Sequence, residues 1–258
     1  MSKSTWWKFL SLAALIALGV LAALILWNGR AAQTVAPVGV RVVIDPGHGG
    51  EDGGAVAKDG TVESNLNLDI AKRLDVILTF WGCDTKLLRS EDISLHDEGA
   101  TTIRQKKVSD IHNRVDMVNE EPNPRLISIH QNFFPQTQYH GAQVFYANGP
   151  LGQPWAKLTQ ENLKNCLDPA NNRVEKPISH DVYLMNHITC PAILVECGFL
   201  SNPGELSRLK DPDYQTALAA VVAGSYLQSV HMESVQKEGE TPHASQSEAS
   251  VLLHGMRQ

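Results

Sequence analysis

Val42-Val43-Ile44-Asp45-Pro46-Gly47-His48-Gly49-Gly50 reads as an apolar strand that stops abruptly in a glycine-rich turn carrying one histidine. A strand end is rigid and the turn after it is open. His48 is therefore held firmly yet stays reachable by solvent, as a metal ligand or a catalytic imidazole must be. The strand is also the first of a series, and the series decides the fold.

Downstream, strand-like and helix-like patterns alternate. Residues 63–80 place Leu66, Ile70, Leu74 and Ile77 at helical spacing, and Gly82 closes that segment. Residues 84–89 read as a strand and 90–100 as a polar loop. A helix over 101–119 is expected to turn Ile103, Val108, Ile111, Val115 and Val118 inward. Strands follow at 126–130 and 142–147, a helix at 154–167, a strand at 192–196 and a long helix at 213–230. Such alternation predicts an α/β domain whose sheet is covered on both faces.

The flanks differ in composition. Residues 9–27 form an uncharged apolar run of about nineteen residues, long enough to cross a hydrocarbon core. Trp6, Trp7 and Trp27 lie at its ends and Lys3 and Lys8 precede it, which orients the N-terminus toward the cytoplasm. Residues 1–28 are thus expected to be a cytoplasmic tip and transmembrane signal anchor, 29–39 a linker, 40–232 the catalytic domain and 233–258 a disordered polar tail. The domain would be extracytoplasmic on a single-pass membrane protein, or secreted if the N-terminus is cleaved. A formal charge of −6 and the lack of a basic stripe argue against nucleic acid as a partner. Four cysteines without a C-x-x-C pair give neither a disulfide framework nor a cysteine zinc site.

Four polar residues stand out by position. His48 follows the first strand, Glu63 begins the next helix, and His130 and Glu196 end the runs Leu-Ile-Ser-Ile-His and Ala-Ile-Leu-Val-Glu. Ligands of α/β sheets bind outside the carboxyl ends of strands. Two imidazoles and one carboxylate make a common catalytic zinc set that keeps one position open, and a second carboxylate can move protons. His48, Glu63 and His130 suit the first role, and Glu196 the second. Each also has a plainer reading: a surface histidine, a helix-dipole partner, a satisfied core histidine. Glu196 resists one, because burying a carboxylate is costly unless it is paired or neutral. Position alone leaves the metal-site and structural readings level. Asp45 is either a turn former or an acceptor that orients an imidazole. Arg114 reads as a partner for an acidic group, Asn132 as a residue able to meet substrate beside His130, and Asn67 as sharing the helical face of Glu63.

These segments together resemble the zinc-dependent N-acetylmuramoyl-L-alanine amidases of the amidase-3 type. The matching stretches are Ile44-Asp45-Pro46-Gly47-His48-Gly49-Gly50 with Gly53-Gly54-Ala55, then Glu63 and Asn67, then Ser128-Ile129-His130-Gln131-Asn132, then Val195-Glu196-Cys197-Gly198-Phe199-Leu200-Ser201-Asn202. The resemblance implies a mixed, roughly six-stranded sheet flanked by helices, and one zinc held by His48, Glu63 and His130, with Glu196 catalytic. It also implies peptidoglycan as substrate, cut between the lactyl group of N-acetylmuramic acid and L-alanine. The apolar N-terminus, the stretch Gly141-Ala142-Gln143-Val144-Phe145-Tyr146 and Tyr183-Leu184-Met185 resemble the germination-specific, sporulation-linked members. Those prepare cortex muramic acid for δ-lactam formation, would work in the spore intermembrane space, and leave a partner lipoprotein as a candidate regulator. Gln131 stands where many members have alanine and is expected to alter substrate contacts. Two rival functions remain: a module that holds glycan without cutting it, and a zinc peptidase acting within the stem peptide.

Overall fold

The computed structural model describes residues 39–147 and 149–240, with side chains to 236. Six strands form one mixed sheet: β1 (Arg41–Pro46), β2 (Asp84–Leu87), β3 (Pro124–Asn132), β4 (Gln143–Tyr146), β5 (Lys176–Pro177) and β6 (Ala192–Phe199). Their spatial order is β2-β1-β3-β6-β4-β5. The pairs from β2 to β6 are parallel, β4 runs antiparallel to β6, and β5 is parallel to β4. The parallel strands are near-continuous apolar runs because both of their faces are covered.

Alternation along the strands sorts side chains to two cores. Val42, Ile44, Ile127, Ile129, Ile193 and Val195 join one apolar cluster with α1 (Glu63–Phe80), α3 (Gly152–Leu167) and α6 (Pro212–Glu240). Val43, Leu126 and Leu194 face the other, with α2 (Ile103–Asn119) and the short α4 (Tyr183–His187). A further helix, α5 (Pro203–Leu209), starts on Asn202, whose side chain accepts from the Gly204 and Glu205 amides. The capping box of Thr102 and Gln105 sets the start of α2 two residues later than the apolar pattern predicts.

Two expectations need correction. Ile103 and Val108 are exposed rather than inward, and the buried side chains of α2 all lie in its C-terminal part, at Arg114, Val115 and Val118. Through its middle α2 instead uses polar groups, as Ser109 and Asn113 bond Asp97. The polar tail does not begin at 233, because α6 continues to Glu240. There Glu233 receives two bonds from the Arg125 guanidinium, at 2.8 and 2.6 Å, which ties the helix to β3. Helices α4 and α5 and the two-residue β5 are too short to show a period in sequence. The expected anchor over 1–28, nearly all of the linker and the tail beyond 240 lie outside the described residues. Among the described residues, no helix is long and apolar enough to cross a membrane.

Candidate metal centre and active site

The parallel pairing of β3 with β6 sets His130 against Glu196 as register partners, at the carboxyl ends of both strands. Glu63 enters from the first turn of α1, and His48 from the turn after β1. One ligand atom from each of His48, Glu63 and His130 lies within 4.8 Å of the others. Glu63 Oε1 is 3.4 Å from His48 Nε2 and 3.1 Å from His130 Nδ1. The sequence thus named three residues that the tertiary fold brings to one point.

Small residues make that convergence feasible. A Cβ on Gly47 would lie 2.2 Å from the His130 ring, and one on Gly54 would lie 2.5 Å from Glu63 Oε2. These glycines make room for the ligand side chains themselves. His48 sits at φ +61°, a left-handed backbone that few non-glycine residues adopt, so strain is concentrated at this turn.

The turn leaves its carbonyls outside the sheet ladder, and buried carbonyls need donors. Two buried guanidiniums supply them. Arg89 donates to Pro46 O, Gly47 O and Ser64 O at 2.9–3.0 Å. Arg114 donates to Pro46 O at 3.1 Å and to His48 O at 2.7 Å. Burial pushes the Arg89 pKa down to about 10, still charged at neutral pH. In sequence Arg89 is one arginine at a strand end and carries no distinguishing pattern.

Asp45 does not orient an imidazole. Its carboxylate accepts from Arg114 Nη1 and from Ser128 Oγ. Burial alone would raise its pKa, but Arg114, His130 and Ser128 hold it below the usual value. The acceptor for His48 is Asp52, whose Oδ2 lies 3.1 Å from Nδ1 and leaves Nε2 facing Glu63. Its spacing of four residues from His48 was the available signal. Asn67 behaves as its helical face predicts, donating to Gly47 O at 3.1 Å and to Glu63 Oε1 at 3.3 Å. Gln131 is buried and donates to Asn67 Oδ1 at 3.2 Å, so it braces α1 beneath the site and has almost no exposed surface. Asn132 is half-buried beyond a register shift, and its carbonyl accepts from the Leu200 amide.

Glu63 is tied in on every side. Its Oε2 accepts from the Ala55 amide and its Oε1 from the Gln131 amide, at 2.9 and 3.1 Å. Burial opposes its charge, yet His130 and His48 hold it far below the ordinary carboxylate range. Burial likewise lowers the His48 pKa, but Asp52 and Glu63 outweigh it and raise the imidazole to about 10. Glu196 is the opposite case. Its Oε2 is buried without a hydrogen-bond partner, and burial pushes its pKa up to about 7. A carboxyl poised near neutrality can both take and return a proton.

Two imidazoles and a carboxylate converging on one point, with an unpartnered carboxyl oxygen close by, fit a metal ion with one position left for water. The fold and site define a hydrolase of α/β architecture built around such a cluster. The family described as N-acetylmuramoyl-L-alanine amidase, Amidase_3, matches residues 42–226. The chain belongs to that family and is an N-acetylmuramoyl-L-alanine amidase. It is 35% identical over 182 residues to the germination-specific N-acetylmuramoyl-L-alanine amidase of Bacillus subtilis, covering 70% of this chain and 76% of the relative. It is similar to the CwlD amidase from Clostridioides difficile, solved in complex with the GerS lipoprotein, with TM-score 0.72 and 36% identity over 74% of this chain and 98% of that one. An N-acetylmuramoyl-L-alanine amidase from Clostridium difficile 630 gives TM-score 0.64 at 26% identity, over 74% of this chain and 97% of that one.

Proposed function

We propose that this amidase works with one zinc held by His48, Glu63 and His130, and cleaves the lactyl–L-alanine amide of spore cortex peptidoglycan ahead of muramic-δ-lactam formation. The observation that carries the reading is the convergence of the three ligand atoms within 4.8 Å beside the unpartnered Glu196 carboxyl. When bound, zinc supplies Lewis-acid polarisation and brings the pKa of water toward about 7. Asp52 keeps Nε2 of His48 directed at the site. Arg89 and Arg114 hold the turn that carries His48. Glu196 accepts a proton from the attacking water and returns it to the alanine nitrogen as the amide bond breaks. The buried surroundings that raise its pKa also keep it receptive at neutral pH.

The spore role draws support from the likeness to the germination-specific amidase of Bacillus subtilis. A lipoprotein partner draws support from the GerS lipoprotein in the similar complex. The uncharged run at 9–27 supports a membrane anchor with the domain outside the cytoplasm.

Mass spectrometry of digests from cortex and vegetative wall tests this reading. Free stem peptides with peptide-less glycan, preferentially from cortex, are expected. Shortened stems would point to a peptidase, and unchanged wall to a glycan-holding module. Elemental analysis of purified protein is expected to find about one zinc per chain.

A further inference from the structure

At the edge of the site opposite His48 lies a guanidinium that the mechanism above does not use. Gln143 on β4 is the register partner of Glu196 across the antiparallel pair, so both side chains share the metal-site face. Arg173, in the segment between α3 and β5, donates through Nη1 to Gln143 Oε1 at 2.8 Å. Its Nε donates to His140 O at 2.8 Å, and its guanidinium lies 4.5 Å from the centroid of Phe199. Phe199 in turn stacks on Tyr139. Three neutral anchors therefore fix the plane of this cation. No carboxylate pairs with it among the described residues, and Nη2 has no protein partner there. Arg41, Arg114 and Arg125 differ, since each is bonded to a carboxylate.

A guanidinium positioned by neutral groups, with one N–H edge left open beside the reacting carboxyl, is suited to an anion brought by substrate. Glu196 returns its proton to the departing alanine nitrogen, so the leaving stem peptide lies on the Glu196 side. We infer that Arg173 recognises a carboxylate of the stem peptide, the free α-carboxylate of the isoglutamyl residue that follows L-alanine. The inference rests on the amidase reading above and adds a specificity to it: the acid form of the second stem residue is preferred over its amide.

The test compares two synthetic muramoyl peptides that differ only in carrying isoglutamate or isoglutamine after L-alanine. The zinc-loaded wild type is expected to favour the acid by at least about tenfold in kcat/KM, mostly through KM, as befits a charge-assisted hydrogen bond. R173Q should bring that ratio close to one, and R173K should restore part of it. No preference in the wild type overturns the proposal without reference to how the variant folds. So does a loss in R173Q that is equal for both peptides, which would place Arg173 with Glu196 or the fold. Failure to cut either peptide at the lactyl amide would instead sink the amidase reading, and the inference with it.

Discussion

His130 and Glu196 are register partners on adjacent parallel strands, so one turn of phase in the sheet fixes both an imidazole of the metal cluster and the carboxyl beside it. The two carboxylates near that imidazole are driven in opposite directions. Glu63 is enclosed by imidazoles and amides and stays ionised. Glu196 has a buried Oε2 without a hydrogen-bond partner, and burial keeps its proton on until about pH 7. Environments that separate two carboxylates in this way assign them different tasks.

Glu196→Gln is expected to retain zinc by elemental analysis while losing most turnover, at least about a hundredfold, as general acid–base groups contribute. The same variant has a thermal signature in chelator-treated protein. A carboxyl with a higher pKa folded than unfolded binds more protons in the native state, so its contribution to stability is complete below pH 4.5 and is lost as pH rises through about 7. The variant lacks that loss. Its melting temperature should gain on wild type between pH 5 and 8, and parallel pH curves would remove Glu196 as the buried acid.

Zinc uptake should release protons. In the metal-free protein His48 stays protonated to about pH 10, but a ligating nitrogen must be neutral. Calorimetric titration near neutral pH, in buffers of differing ionisation enthalpy, should give different apparent enthalpies. Apparent affinity should climb with pH until His48 is neutral. Identical enthalpies would remove His48 from the ligand set.

Asp52→Asn should weaken zinc binding by about 10–100-fold, the cost typical of losing the group that orients a ligating imidazole. The polar loop around it tolerates the change, so far-ultraviolet circular dichroism should be unaltered. Competition with a chromophoric chelator measures the affinity, and a wild-type value would mean that the 3.1 Å contact with His48 Nδ1 is incidental.

Gly47→Ala should disable the site by volume rather than by chemistry. The added methyl would lie 2.2 Å from the His130 ring, too close for any rotamer adjustment of a few tenths of an ångström. About 1–3 kcal/mol of stability should be lost, the usual cost of overpacking, together with zinc. Denaturant unfolding and metal content read the two effects, and a variant that kept both would show that the turn can shift freely.

Sequence legibility followed the physics of each element. The run ending at Glu196 was readable because four buried apolar residues followed by a carboxylate leave few explanations. The apolar period of α2 includes Ile103 and Val108, yet both are exposed, because periodicity reports a helix but not how far its packing partner extends. Asp52, Arg89 and Arg173 carried weak signals or none. Each acts across a loop whose path depends on the rest of the fold: Arg89 reaches a turn 42 residues away in sequence and Arg173 a strand 30 away.

Alternating apolar runs in the chain by itself determined a two-face-covered α/β sheet, and put His48, Glu63, His130 and Glu196 at element ends, since local periodicity and strand termination are written in consecutive residues. Only the tertiary structure decided that Asp52 rather than Asp45 serves His48, that Arg89 and Arg114 hold the turn, and that Glu196 keeps its proton while Glu63 does not. Those outcomes depend on distances and burial among residues far apart in the chain, and such distances exist only once strand register is set.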